Sequence, residues 1–137
     1  MYKITESYVD YDGNERKEDF YFNFTEAELA KMELSVTGGL TTIIQRAIDA
    51  KDVPSLIKIF EDLILKSYGQ ISLDGRRFVK SPEILEEFKQ TEAYSQIYMR
   101  MATDEKAAAE FVNNVMPKKT LNAATSHEKA KVLPMNN

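Results

Sequence analysis

The chain has 137 residues, 43% of them apolar, which suits one domain with a real hydrophobic core. It contains no cysteine, which excludes disulfides, thiolate catalysis and cysteine-ligated metals. Residues 1–116 carry 14 basic and 21 acidic side chains, a formal charge of −7, which disfavours non-specific binding to nucleic acid. The longest apolar runs are too short to span a bilayer, so we expect a soluble protein without membrane contact.

A β-hairpin is predicted over residues 2–24, where two strand-like segments flank Asp12-Gly13. If Ile4 and Phe22 share a face, the sequence numbers of two residues that lie opposite each other in the hairpin must add up to an even number. A two-residue loop, Asp12-Gly13, would place Lys3 opposite Phe22, and Lys3 belongs to the other face. We therefore predict a three-residue loop, Asp12 to Asn14, with Ile4 opposite Phe22.

The hairpin runs directly into a predicted helix at about residues 26–34, and the junction has the pattern of a capping box. Thr25 can accept a hydrogen bond from the backbone N–H of Glu28, whose carboxylate can reach back to the N–H of Thr25. Phe24 and Leu29 occupy the two positions of a hydrophobic staple around this box. We expect a rigid junction with aromatic rings on its inner side.

Hydrophobic periodicity and capping residues predict five further helices, at about residues 40–50, 53–67, 82–89, 92–101 and 104–116. The second of these five is apolar over more than half of its circumference, which predicts a central helix packed on two sides. Phe60 and Ile64 are therefore expected among the most buried residues. Further on, Asp74-Gly75 predicts either a small hairpin or a tight turn. The predicted fold class is α+β, an N-terminal antiparallel β-hairpin packed on a mainly α-helical bundle.

The end of the chain differs in composition from the rest. From residue 118 onwards the polar and small residues follow no period, which predicts a disordered, flexible tail over residues 118–137. Residues 117–137 carry four lysines and one glutamate, a formal charge of +3. These charges are sparse, which favours a solvated basic end over a nucleic-acid arm. We predict a single globular domain over residues 1–117, followed by this tail.

Patterns that would indicate catalysis or metal binding are weak. His127, the only histidine, lies in the predicted tail, where nothing positions its imidazole as a general base. The carboxylates lack the spacing of a calcium loop. Gly38-Gly39 is interpreted as a helix break rather than a phosphate site, and Arg76-Arg77 as a solvated turn. The sequence predicts a non-enzymatic protein without cofactor or metal.

One helical face is a candidate for partner binding. Tyr94, Tyr98 and Met101 share this face of the predicted helix at 92–101, together with Ile97. Two interpretations stay open, ordinary core packing and a groove for a partner helix, because Met and Tyr adapt to varied shapes. On the second interpretation, Tyr94, Tyr98 and Met101 are the partner-binding residues.

Several short segments together resemble one protein family. They are Tyr2-Lys3-Ile4 with Asp12-Gly13, Phe20 to Leu29 with Met32-Glu33-Leu34 and Gly38-Gly39-Leu40, Tyr68-Gly69 through Asp74-Gly75-Arg76-Arg77-Phe78 to Lys80-Ser81, Phe88 to Tyr94, and Thr103 to Phe111. Over residues 1–117 the chain resembles the tail assembly chaperones of long-tailed bacteriophages and prophages of Gram-positive bacteria.

The resemblance implies a non-enzymatic protein of the host bacterial cytoplasm that binds the helical, aggregation-prone tape measure protein. Such a chaperone keeps this client soluble for assembly of the tail tube, and is absent from the finished particle. The tail tube protein is a second candidate partner, whereas no nucleic acid or membrane is expected. An alternative function is a structural virion subunit, such as a head–tail connector or tail-completion protein, with copies arranged in a ring. The oligomeric state and the client segment stay open.

Overall fold

The computed structural model of the protein describes residues 1–35 and 39–117. Its elements in chain order are β1 (Tyr2–Val9), β2 (Glu15–Phe22), α1 (Glu26–Ser35), α2 (Leu40–Asp49), α3 (Val53–Ser67), β3 (Tyr68–Ile71), β4 (Phe78–Val79), α4 (Pro82–Lys89), α5 (Glu92–Thr103) and α6 (Glu105–Val115). The predicted α+β class, with its N-terminal antiparallel hairpin and mainly helical remainder, is confirmed. The predicted tail with His127, and Gly38, lie outside the described residues.

The four strands form one antiparallel sheet in the order β1-β2-β3-β4. Asp74-Gly75 lies in the turn of a small hairpin, the first of the two predicted alternatives. The pairing of β3 with β2, which places Tyr68 opposite Phe22, was not predicted. Gly69 permits the close approach of β3 and β4, because a Cβ atom there would lie 2.8 Å from the carbonyl oxygen of Val79.

The register of the first hairpin differs from the predicted one by two residues. Ile4 lies opposite Phe20, and Phe22 lies opposite Tyr2, so the predicted pairing of Ile4 with Phe22 is wrong. The predicted face is right, because Ile4 and Phe22 are both buried on the inner side of the sheet. A shift by two residues moves each side chain along the strand without turning it to the other face.

The turn of this hairpin explains the shift. The loop has three residues, as predicted, but it comprises Tyr11 to Gly13 instead of Asp12 to Asn14. The Asp10 carboxylate accepts hydrogen bonds from the backbone N–H groups of Asp12 and Asn14, at 3.0 and 2.9 Å. Gly13 donates to the Asp10 carbonyl and has a φ of 87°, in the left-handed region that favours glycine. Asp10 therefore determines where the turn begins.

The core lies between the inner face of the sheet and helices α3 to α6. Phe22 is fully buried at its centre, and its ring lies 5.7 Å from Tyr68, 5.9 Å from Phe88 and 5.5 Å from Phe111. The rings of Tyr68 and Phe88 are stacked with centroids 4.0 Å apart. Edge-to-face and offset contacts of this kind stabilise a core beyond the area they bury.

Helix α3 is less central than predicted. Ile64 is fully buried, as predicted, and so are Leu63 and Ser67, but Phe60 is only half-buried. The reason is the direct continuation of α3 into β3, because Asn23 donates a backbone hydrogen bond of 2.8 Å to the Ser67 carbonyl. This contact fixes the C-terminal end of α3 against the sheet. The prediction that Phe60 is among the most buried residues is wrong.

The capping box at the start of α1 has the predicted geometry. The N–H of Thr25 donates to Glu28 Oε1 at 2.9 Å, and the N–H of Glu28 donates to Thr25 Oγ1 at 3.1 Å. Phe24 and Leu29, at the staple positions, are both buried. Lys80 extends this junction, since its ammonium donates to Glu28 Oε2 at 2.7 Å and lies 5.0 Å from the ring centroid of Phe24. The strand, the helix and the segment after β4 are therefore fastened together.

Truncation of two side chains on α3 tests how its burial is distributed. Ile64→Ala should lower the free energy of unfolding by about 2–5 kcal/mol, because it opens a cavity in the core. Phe60→Ala should cost about 1–2 kcal/mol, because only part of its ring is withdrawn from water. Urea denaturation followed by circular dichroism measures both. A loss at Phe60 as large as that at Ile64 would contradict this assignment.

The pH dependence of stability tests the Lys80–Glu28 contact. Partial burial acts to raise the pKa of Glu28, but the hydrogen bonds from Lys80 and Thr25 outweigh it and lower the pKa below its ordinary value of 4.5. A lowered pKa stabilises the folded state above pH 4.5, and this contribution is lost as the pH falls through the folded-state pKa. The difference in thermal midpoint between wild type and Glu28→Gln should therefore shrink as the pH falls from about 6 to about 3, across the range in which carboxyl groups titrate.

The matched control for this measurement is the Lys80→Met background. There, Glu28→Gln should change the midpoint less at neutral pH, because the largest favourable partner of the carboxylate has been removed. If Glu28→Gln changes the midpoint equally in the wild-type and Lys80→Met backgrounds, Lys80 does not contribute.

Candidate partner-binding surface

The residues that cap α5 determine which of its side chains face the core. The Oγ1 of Thr91 accepts from the N–H of Tyr94 at 3.1 Å, and its hydroxyl donates to the Phe88 carbonyl at 2.7 Å. Started in this way, α5 directs its buried residues into the core: Ala93, Ile97 and Met101. These lie four residues apart, the spacing of one helical face. Tyr94 and Tyr98 lie beside that face.

A nearly buried carboxylate attaches α5 to β1. The Glu6 side chain is only 4% exposed, and both of its oxygens lie 2.7 Å from Nη2 of Arg100. Gln96 also donates to Glu6, at 2.7 Å, and to the carbonyl of Ser7, at 3.0 Å. Because an unpaired buried charge is costly, these partners determine how far along β1 the helix lies.

The two tyrosines are partly accessible. The Tyr94 ring lies 5.3 Å from that of Phe88 and 6.1 Å from that of Tyr98. Burial raises the pKa of the Tyr94 hydroxyl, and the negative charge of Glu61 on α3 adds to the effect. Tyr98 is half-buried and lies outside the core cluster. Part of each ring is therefore exposed to solvent beside the buried face of α5.

Met101 has a different environment from the tyrosines. It is 5% exposed and belongs to the core cluster, so a partner could not contact it without displacing core side chains. Of the two interpretations that the sequence left open, core packing therefore applies to Met101. Binding of a partner at Tyr94 and Tyr98 stays a prediction.

A second apolar surface lies on α2 and the N-terminal half of α3. We call it the α2–α3 surface and define it by its half-buried or exposed apolar residues: Ile43, Ile44, Ile48, Val53, Leu56 and Ile57. Ile48 and Val53 are 49% and 56% exposed, and the six residues lie outside the core cluster. Partly exposed apolar side chains on two helices that contact each other make this surface a candidate interaction site.

The sequence contains a signal for this surface. The apolar residues of α3 cover more than half of its circumference, the pattern from which burial on two sides is predicted. The same pattern is typical of a helix with one face in its own protein and another face for a partner. Periodicity measures the width of the apolar stripe and does not identify what covers it.

The chemistry available at these surfaces is that of apolar and aromatic contact. Within residues 1–35 and 39–117, no three or more His, Asp or Glu side chains are grouped as a metal ion would require. Across the same described ranges, no helix has the length and apolarity needed to cross a membrane.

Removing the arginine partner of Glu6 tests the attachment of α5. Arg100→Met should lower the free energy of unfolding by about 1–3 kcal/mol, less than for a fully buried pair because the Arg100 side chain is 41% exposed. Chemical denaturation measures the loss. The double variant Glu6→Leu/Arg100→Met is the control and should recover part of it, because no buried charge is left unpaired. A double variant less stable than Arg100→Met would contradict this account.

Among known proteins, the chain matches a family model. The family model described as phage tail assembly chaperone matches residues 1–135. The matched region contains every strand and helix described above. No curated protein and no solved structure matches the chain.

Proposed function

We propose, because this chain belongs to the phage tail assembly chaperone family, that it binds the tape measure protein and keeps it soluble until the tail tube is assembled. The tape measure protein is the long helical component of a phage tail. The resemblance to this family implies that it is aggregation-prone before assembly. The tail tube protein is a second candidate partner.

The observation that carries this proposal is the apolar area left partly exposed on helices α2, α3 and α5. Tyr94, Tyr98 and the α2–α3 surface together offer aliphatic and aromatic side chains to a partner. A helical client covers its own apolar stripe by lying against such a surface, with contacts at helical spacing. Tyrosine suits this role because its ring packs against apolar groups while its hydroxyl stays in water.

Binding alone accounts for this function, without a catalysed reaction. The formal charge of −7 on residues 1–116 disfavours nucleic acid as the client, because phosphates would be repelled by most of the surface. We propose that the protein acts in the cytoplasm of the host bacterium, where tail proteins are made.

A charge placed on the α5 surface tests the contact. Tyr98→Asp should fold, because Tyr98 lies outside the core, and should leave a co-expressed tape measure protein in the insoluble fraction. The reason is that removing water from a carboxylate against an apolar client costs several kcal/mol, on the order of the free energy gained by burying one apolar side chain. Sedimentation of lysates followed by gel analysis measures soluble client, and circular dichroism measures folding of the variant.

Ser95→Asp is the matched control, since Ser95 is an exposed residue of the same helix and the substitution adds the same charge. It should keep the client soluble. Met101→Asp should unfold the protein by itself, because Met101 lies in the core. If folded Tyr98→Asp keeps the client as soluble as wild type does, α5 is not the contact. The variant Ile48→Asp/Val53→Asp then tests the α2–α3 surface.

Two outcomes would overturn the function itself. One is a wild-type protein that holds no tape measure protein in solution. The other is its presence in purified virions at the stoichiometry of a structural subunit, measured by mass spectrometry, as expected of a head–tail connector or tail-completion protein.

A further inference from the structure

The loop between β3 and β4, residues 72–77, displays an unusual set of side chains. Leu73 is fully exposed, and Ile71 at the end of β3 is 44% exposed. Arg76 and Arg77 are exposed, and neither guanidinium has a hydrogen bond or ion pair with another described residue. The hydrogen bonds described for this loop use the backbone of the two arginines and not their guanidinium groups. We call these four residues the loop patch.

Hydrogen bonds within the loop hold its backbone in one conformation. The Ser72 hydroxyl donates to Asp74 Oδ1 at 2.7 Å and accepts from the N–H of Arg77 at 3.0 Å. The N–H of Arg76 donates to the same Asp74 oxygen at 3.1 Å. The N–H of Ser72 donates to the Arg77 carbonyl at 2.9 Å, and Gly75 completes the turn at a φ of 76°. A preorganised loop loses little entropy when a partner binds.

A groove runs beside the loop patch and is continuous with it. Its apolar lining comes from Ile71, Leu73, Val79 and Ile84, and Arg77 and Asp74 also line it. The Asp74 carboxylate is already bound within the loop by Ser72 and the N–H of Arg76. Such a groove fits an apolar side chain, and the Arg77 guanidinium fits a carboxylate on the same segment. Arginine forms planar, paired hydrogen bonds with carboxylates.

We propose that the loop patch docks an acidic segment of the client that also carries apolar side chains. This rests on the proposed function, and it adds a second contact to that of the helical surfaces. Charge complementarity carries the choice of occupant. The remainder of residues 1–116 is acidic, so an acidic segment is repelled from most of the protein and attracted at Arg76 and Arg77. Complementary charges of this kind determine the orientation and rate of binding.

Other occupants fit the patch less well. Nucleic acid binding needs several cations along a phosphate backbone, whereas this loop carries two arginines and one aspartate. A second copy of this chain carries the same formal charge of −7 over residues 1–116, so most of the two surfaces would repel each other. Its binding would appear as self-association that depends on the same residues. Both alternatives are outcomes of the following experiment.

The experiment uses overlapping, fluorescently labelled peptides that together cover the tape measure protein. Fluorescence anisotropy measures the affinity of the wild-type protein and its variants for each peptide. The variant Arg76→Glu/Arg77→Glu should bind the acidic peptide of the client at least about tenfold more weakly, because like charges then face each other. Lys3→Glu/Lys106→Glu is the matched control, with the same change of charge at two exposed lysines, and should bind within about twofold of wild type. Leu73→Ser should weaken binding severalfold without changing the thermal midpoint, because Leu73 is fully exposed.

Each result supports or overturns the inference. Weaker binding that is confined to the loop variants, together with wild-type binding that strengthens at low salt, supports it. Client binding by the loop variants equal to wild type overturns it and leaves the proposed function standing. A wild-type protein that binds no client peptide overturns both. Loop variants that lose self-association in light scattering, or lose binding to a labelled oligonucleotide, while keeping the client, overturn it and assign the patch to a second copy or to nucleic acid.

Discussion

Most of the described structure depends on contacts made by one short segment, Phe22 at the end of β2 followed by Asn23 and Phe24. The Phe22 ring lies at the centre of the aromatic core, and the backbone of the next two residues binds the ends of two helices. The N–H of Asn23 donates to Ser67 at the end of α3, and the N–H of Phe24 donates to Val115 at the end of α6. These carbonyls would otherwise lack partners, since the last turn of a helix leaves them free. One extended segment therefore positions the sheet, α3, α6 and the start of α1.

This arrangement divides the helices by how firmly they are held. Helices α4 to α6 and the end of α3 contribute most of the helical side chains buried in the core, whereas Ala47 is the one buried residue among those of α2 whose burial the structure describes. The ion pair of Glu6 with Arg100 helps to orient α5 on β1, because the nearly buried carboxylate needs a cationic partner. The apolar side chains left partly exposed thus lie on α2, on the first half of α3 and beside the buried face of α5. Under the proposed function, these are the side chains that a client would contact, displayed on a frame that stays folded.

Local signals predicted the elements well and their mutual positions less well. The starts of α3 and α4 were predicted by the capping residues before them, Asp52 and Ser81, because a capping residue acts on N–H groups within one turn of itself. The predicted hairpin register differs from the observed one by two residues. The alternation of apolar residues determines which face a side chain is on, but a shift by two residues keeps that face and is therefore left open. The side chain of Asp10, which binds two N–H groups of the turn, determines the register. For the candidate site, the α5 face was predicted from the sequence and stays a prediction, whereas the α2–α3 surface was not predicted.

The sequence by itself determined the local structure and the family: the capping box, the approximate positions of the helices, the α+β class and membership among phage tail assembly chaperones. Only the tertiary structure decided that β3 pairs with β2, that Met101 is core while Tyr98 is not, and that Glu6 pairs with a residue 94 positions away. The physical reason is the range of the interactions. Capping and periodicity act between neighbours in the chain, whereas burial depends on which distant segments cover a side chain, and a one-dimensional pattern does not specify that cover.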